Sequence, residues 1–190
     1  MMEDKNVFLG ETDKVKIRLL IEDDKGIYRA MSLSRPGPSL AADDRAFNVL
    51  WGYMKEDTTL ACTIVEKATN NICGFCQLSK LDTGTPEVSV DIIDGYMGNG
   101  YAFEATELLM QYAALEFPLQ YFVWCAYTGN SVSRHLAEKH GGVFVKEEPF
   151  LPDNLLQFAL ESGAIKPEDI NYICTYHISK YCNALSAGKI

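Results

Sequence analysis

Residues 87–110 read EVSVDIIDGYMGNGYAFEATELLM. Val88, Val90 and Ile92 alternate with polar residues, the period-two signature of a half-buried strand. Glycines follow at 95, 98 and 100. Then Ala102, Ala105, Leu108, Leu109 and Tyr112 recur near helical spacing, which predicts a helix running to about Glu116. A strand that feeds a glycine turn and opens a helix is a place to hold phosphate. Glycine lets a ligand approach the backbone, and the first helical N–H groups lack partners and carry partial positive charge. The glycine order is GxxGxG, not the GxGxxG of a dinucleotide-binding fold.

A second stretch, residues 128–142, reads TGNSVSRHLAEKHGG. Together the two resemble motifs of the GNAT superfamily of acyl-CoA N-acyltransferases, in which the first binds pyrophosphate. GYMGNGYAFEA is most similar to the RimJ/RimL-like ribosomal-protein N-acetyltransferase branch. Asn130, Ser133, Lys139 and Gly141 match that branch's Asn-x-x-Ser helix. The resemblance covers about residues 13–148. It implies a mixed α/β fold, with a largely antiparallel central sheet flanked by helices and a splayed central strand pair. It also implies acetyl-CoA as cosubstrate, and acetyl transfer to a primary amine by direct attack in a ternary complex. The amine is a protein N-terminus or a small amine. The sequence departs from the branch at three places. Gly95 stands where a Gln or Arg is usual, Ala137 where many members carry a tyrosine acid, and Gly142 where the branch has Phe. The last two support the alternative, a non-catalytic acyl-CoA-binding or sensing module.

The resemblance also assigns residues. Met97, Gly98, Asn99, Gly100, Tyr101 and Ala102 anchor the pyrophosphate through backbone N–H groups. A backbone N–H near Ile92, freed where the central strands splay, polarises the thioester carbonyl. Asn130 contacts the pantetheine arm or caps the helix after it, and Ser133 lies near the thiol. Glu87 and Asp91 are candidates to receive the amine proton. Both are odd-numbered on one strand, so they share a face. Glu104, on the helix, reads as structural.

A chain of 190 residues suits one domain, residues 1–190, with a helical insertion at about 150–170. The net charge of −9 argues against a nucleic-acid partner, while a cationic amine would be drawn to it. No run of 18 apolar residues suggests a membrane span, and MMEDKNVFLGETDK lacks a signal-peptide core, so a cytoplasmic protein is expected. A homodimer is left open.

Cys73 and Cys76 have CxxC spacing but fall inside ICGFCQL, which reads as a strand. Residues three apart on a strand point to opposite faces, and no second ligand pair is visible, so buried thiols and no metal are expected. His135, His140 and His177 read as surface or structural residues.

Elsewhere, patterning predicts strands at 15–20, 60–66, 72–78, 120–126, 143–146 and 172–178. Helices are expected from a cap at Asp23 or Asp24 to Ser34, at 42–54, at 131–140 and within 150–169.

Overall fold

The computed structural model describes residues 7–35 and 39–182. Eight strands form one sheet: β1 (Phe8–Glu11), β2 (Val15–Leu19), β3 (Leu60–Glu66), β4 (Ile72–Ser79), β5 (Glu87–Ile92), β6 (Phe122–Tyr127), β7 (Val143–Pro149) and β8 (Tyr172–Ile178). Their spatial order is β1-β2-β3-β4-β5-β6-β8-β7. Every pair is antiparallel except the central β5–β6 pair, which is parallel. The helices are α1 (Lys25–Ser34), α2 (Asp44–Tyr53), α3 (Tyr101–Glu116), α4 (Ser131–Lys139) and α5 (Asp153–Glu161).

Even-numbered residues of β5 face α3. Val88 joins Leu78 and Cys76 of β4, Ala105, Leu109 and Ala113 of α3, and Trp124 of β6 in the main core. The opposite face carries α1 and α2, where Phe47, Trp51 and Met54 form a second cluster and Tyr28 meets Phe75 edge-on at 5.1 Å. Thr106, Leu109 and Met110 of α3 are among the largest fully buried groups, so the element that follows the glycine turn packs into the core against the sheet.

Four expectations need correction. Strand β1 was not foreseen: it has four residues, none fully buried, so no alternation marks it. Asp24 does not cap α1 through its side chain. It is buried and receives both terminal nitrogens of Arg18 at 2.7 Å, the Thr63 hydroxyl at 2.7 Å and the Ile21 N–H at 3.1 Å. Burial opposes ionisation of that carboxyl, but Arg18, Thr63 and Ile21 outweigh it and hold it below the ordinary carboxylate range. Cys73 and Cys76 do not face opposite ways. The β3–β4 register slips between Ile64 and Val65, and this bulge turns Cys73 into the same core as Cys76. Both are free thiols, and burial pushes the Cys73 thiol up to about 12. Finally, β7 continues past Lys146 to Pro149.

Candidate active site

Three consecutive pieces of chain build the site. The first is the end of β5. The β5–β6 ladder holds only at Glu87–Val123 and Val88–Trp124, and beyond that pair the two strands diverge. The Ile93 N–H bonds Cys73 O on β4 at 2.9 Å. Strand alternation therefore turns the backbone groups of Val90 and Ile92 the other way, into the splay, where β6 offers no ladder partner. The Ile92 carbonyl accepts Arg35 Nη2 at 3.0 Å.

The second piece is the turn. Gly95, Gly98 and Gly100 have φ of +92°, +80° and +81°, the left-handed region that glycine alone enters freely. A Cβ on Gly98 would meet no protein atom, and one on Gly100 only Lys14 Nζ at 3.8 Å. The space above both glycines is open. Asn99 closes the turn on itself, donating from Nδ2 to Tyr96 O at 3.1 Å. Met97 is exposed.

The third piece is the start of α3. Gly100 occupies its N-cap and offers no side chain, so the first N–H groups have no capping oxygen. Both α2 and α4 differ: Asp43 caps the N–H groups of Arg45 and Ala46, and Asn130 caps Ser133 N at 3.0 Å. Lys14, from the β1–β2 turn, adds a cation, donating to Asn99 O at 3.4 Å and pairing with Glu104 at 3.1 Å. Glu104 also receives the Thr12 hydroxyl, so it ties that turn to α3. Tyr101 turns inward, its hydroxyl on Glu66, and leaves its backbone alone for a ligand. The Ala102 carbonyl accepts Thr106 Oγ1 at 2.7 Å. An uncapped 16-residue helix behind three open glycines, beside a lysine, fits a polyphosphate.

On the α1–α2 face lie Glu87 and Asp91, which share it as their register opposite Ser79 and Phe75 requires. Glu87 stands at the closed end of the splay and pairs with Lys80 at 2.9 Å. Asp91 stands at the open end and pairs with Arg35 at 3.1 Å. Its surroundings desolvate the carboxyl and raise it above the ordinary range, against the pull of Arg35. A cavity of about 260 Å³, lined by Met31, Ser32, Arg35, Leu40, Leu50 and Asp91, opens beside it.

Ser133, in the first turn of α4, accepts the Trp124 indole N–H at 3.0 Å. Trp124 is in the last paired position of β6, so Ser133 stands over the closed end of the splay. Ala137 is fully buried in the main core and leaves no room for a tyrosine. Gly142 is demanded by packing: a Cβ there would lie 2.6 Å from Ala137 O. The two departures that favoured a non-catalytic module are therefore packing choices, one turn along α4 from Ser133 and at the glycine that packs against it. Lys14 and Trp124 carry no signature in the sequence: Lys14 meets Asn99 and Glu104 from a distant segment, and the Trp124 indole meets Ser133 only once α4 packs on β6.

Residues 13–143 match the family model for the acetyltransferase (GNAT) domain. The chain belongs to the GNAT acetyltransferase family. It is accordingly an acetyl-CoA-dependent N-acetyltransferase. No curated protein matches its sequence. Among solved structures it resembles RimL, a ribosomal L7/L12 α-N-protein acetyltransferase, in complex with coenzyme A. That match has a TM-score of 0.71 at 11% identity, covering 90% of this chain and 96% of that one. It also resembles the Vibrio cholerae spermidine N-acetyltransferase in complex with CoA and spermine, with a TM-score of 0.67 at 15% identity over 90% and 99% of the two chains. A third is a GCN5-related N-acetyltransferase from Brucella melitensis, with a TM-score of 0.66 at 18% identity over 97% and 86%. At these identities the likeness establishes the fold. Among the described residues no helix is long and apolar enough to cross a membrane, and no group of three or more metal-ligating side chains occurs.

Proposed function

We propose that the acetyl group passes directly from acetyl-CoA to a primary amine while both are bound. The observation that carries this reading is the splay. Its open end adjoins the uncapped start of α3, and its closed end adjoins both Glu87 and Ser133. A thioester threaded from the phosphate cradle along β5 would end at Glu87 on one face and Ser133 on the other.

Glu87 and Asp91 are four residues apart, roughly 13 Å along a strand at about 3.3 Å per residue, so one amine cannot use both. A thioester at the closed end favours Glu87 as proton acceptor, with Asp91 and Arg35 lining the acceptor's approach. The Ile92 and Val90 amides supply donors for the pantetheine arm and the thioester oxygen. Met97 to Ala102 hold the pyrophosphate, and Asn130 keeps its amide hydrogens free for the arm while its oxygen caps α4. A covalent acetyl-enzyme is disfavoured at the half-buried thiol near Glu87. Burial, reinforced by Glu87, pushes Cys125 above the ordinary range, so little thiolate is available.

The acceptor is a protein N-terminus or a small amine, the two kinds that the RimL and Vibrio cholerae relatives represent. Thiol release from acetyl-CoA across a panel of peptides and small amines tests the reading. Initial rates with both substrates varied should give intersecting double-reciprocal lines. Parallel lines, or an acetylated protein detected by mass after mixing with acetyl-CoA alone, would contradict direct attack.

A further inference from the structure

Trp124 is 2% exposed, and its indole N–H is a donor that cannot accept. A buried indole N–H without a partner is costly, and here the partner is Ser133 Oγ at 3.0 Å. A serine hydroxyl has one hydrogen and two lone pairs. Helical serines and threonines often return that hydrogen to a carbonyl one turn back. Ser32 does so to Tyr28 O at 2.9 Å, and Thr106 to Ala102 O at 2.7 Å. Ser133 makes no such bond among the described residues. The carbonyl four residues before it, of Gly129, takes Ser131 N, and that of Asn130 takes Arg134 N. The hydroxyl of Ser133 thus accepts from one side and has its hydrogen uncommitted. It sits above the Val88–Trp124 pair that closes the splay.

We propose that Trp124 is a positioning residue for acetyl transfer, its indole N–H filling a lone pair of Ser133 Oγ so that the Ser133 hydroxyl hydrogen is aimed at the CoA sulfur. This rests on the direct-transfer reading above. In that reaction the N–C bond forms and the C–S bond breaks, with its electron pair left on sulfur. One amine proton passes to Glu87. Ser133 supplies a hydrogen bond to the sulfur, not a proton, because an alcohol is far too weak an acid. The indole bond strengthens that donor, since a hydroxyl that accepts a hydrogen bond donates a better one. The first turn of α4 adds its partial positive charge at the same place.

The test is a double-mutant cycle on turnover. Ser133→Ala should lower kcat by about 10–100-fold, or 1.4–2.8 kcal/mol of barrier. Trp124→Phe should lower it by about 3–10-fold, the range one neutral hydrogen bond spans. CoA affinity should stay within about twofold of wild type in both. The double variant should be no slower than Ser133→Ala alone, because the indole acts only through that hydroxyl. Additive losses, or a Trp124→Phe effect confined to KM, would overturn the proposal. A second measurement needs no substitution at Trp124. The chain has two tryptophans, and Trp51 donates elsewhere, to Glu22 at 3.0 Å. In protein labelled with nitrogen-15 at the indoles, saturating CoA should shift the Trp124 N–H resonance and leave that of Trp51 unmoved. An unmoved Trp124 resonance would overturn the link to sulfur even if Trp124→Phe fails to fold. A wild type that acetylates no amine in the panel would remove the direct-transfer reading and the positioning role with it. A CoA-induced shift in a protein that does acetylate supports both.

Discussion

Two regions of the sheet, one against β2 and β3 and one at the central β5–β6 pair, treat their polar groups in opposite ways. Around Asp24 each carboxylate oxygen is taken: two arginine nitrogens, a threonine hydroxyl and a backbone N–H converge on one buried group. Around the β5–β6 splay the ladder stops after two residue pairs, and α3 begins with no cap at all. The first arrangement spends its hydrogen bonds on the fold. The second keeps donors for a ligand, at some cost in stability. The same contrast separates two neighbouring helices, since α4 has an asparagine cap where α3 has a glycine. Substitutions in the filled region should therefore cost stability and spare chemistry, and substitutions in the open region should do the reverse.

The largest effect should come from the open region. Glu87→Gln is expected to lower turnover by roughly 10²–10⁴-fold, the range for loss of a general base, with melting temperature and CoA affinity near wild type. Wild-type turnover in this variant would move the proton to Asp91 or to water, and would break the assignment of the closed end as the reacting end.

In the filled region, Arg18→Met should destabilise by about 3–5 kcal/mol, because it strands a buried carboxylate. Denaturant unfolding measures this. Turnover per folded molecule should not change. A mild loss would mean that Asp24 finds water or becomes protonated cheaply, and the contrast would weaken.

Next is a buried network beside α4. His140 has no exposed surface. Thr106 Oγ1 gives its hydrogen to Ala102 O, so it accepts from His140 Nε2 at 2.8 Å. His140 Nδ1 then accepts the Tyr181 hydroxyl at 2.8 Å. The imidazole is neutral. Burial, with Lys180 and Lys139 nearby, lowers it from 6.5 to about 4. Its folded value lies below its unfolded one. The stability it contributes is therefore complete above about pH 6.5 and is lost as the pH falls towards 4, by on the order of 3 kcal/mol. His140→Gln should flatten that part of the stability–pH curve relative to wild type. Equal slopes would contradict a neutral buried imidazole.

The smallest effect tests the neighbouring helix. Asn130→Ala should cost about 1 kcal/mol of stability as a lost cap. If Asn130 also holds the pantetheine arm, CoA affinity should fall modestly. A variant unchanged in both would leave Asn130 without a role.

The sequence made the open region more legible than the filled one. Residues 87–110 announce themselves because the apolar period changes from two to about 3.6 across a glycine turn, and a turn that must reach positive φ must be glycine. Asn130, which caps α4, and Ser133, which accepts the Trp124 indole N–H, stand out in the sequence through the motif they share. The Arg18–Asp24–Thr63 centre was not, since it joins three segments whose side chains carry no local sign of meeting. Asp24 looked like a cap because a cap and a buried carboxylate use the same residue type. The turn of Cys73 into the core depends on one skipped pairing between β3 and β4, which alternation alone cannot reveal. Lys14 and Trp124 escaped for the same reason: their roles exist only once α3 and α4 are packed on the sheet.

The uncapped start of α3 is the centre of the account, and calorimetric titration with CoA tests it most directly. Wild type should bind, and folded Gly100→Val should bind at least about 100-fold more weakly, or roughly 2.7 kcal/mol, because a branched side chain fills the open space above the turn and resists positive φ. Equal affinity in a folded Gly100→Val protein would show that the phosphates of CoA lie elsewhere.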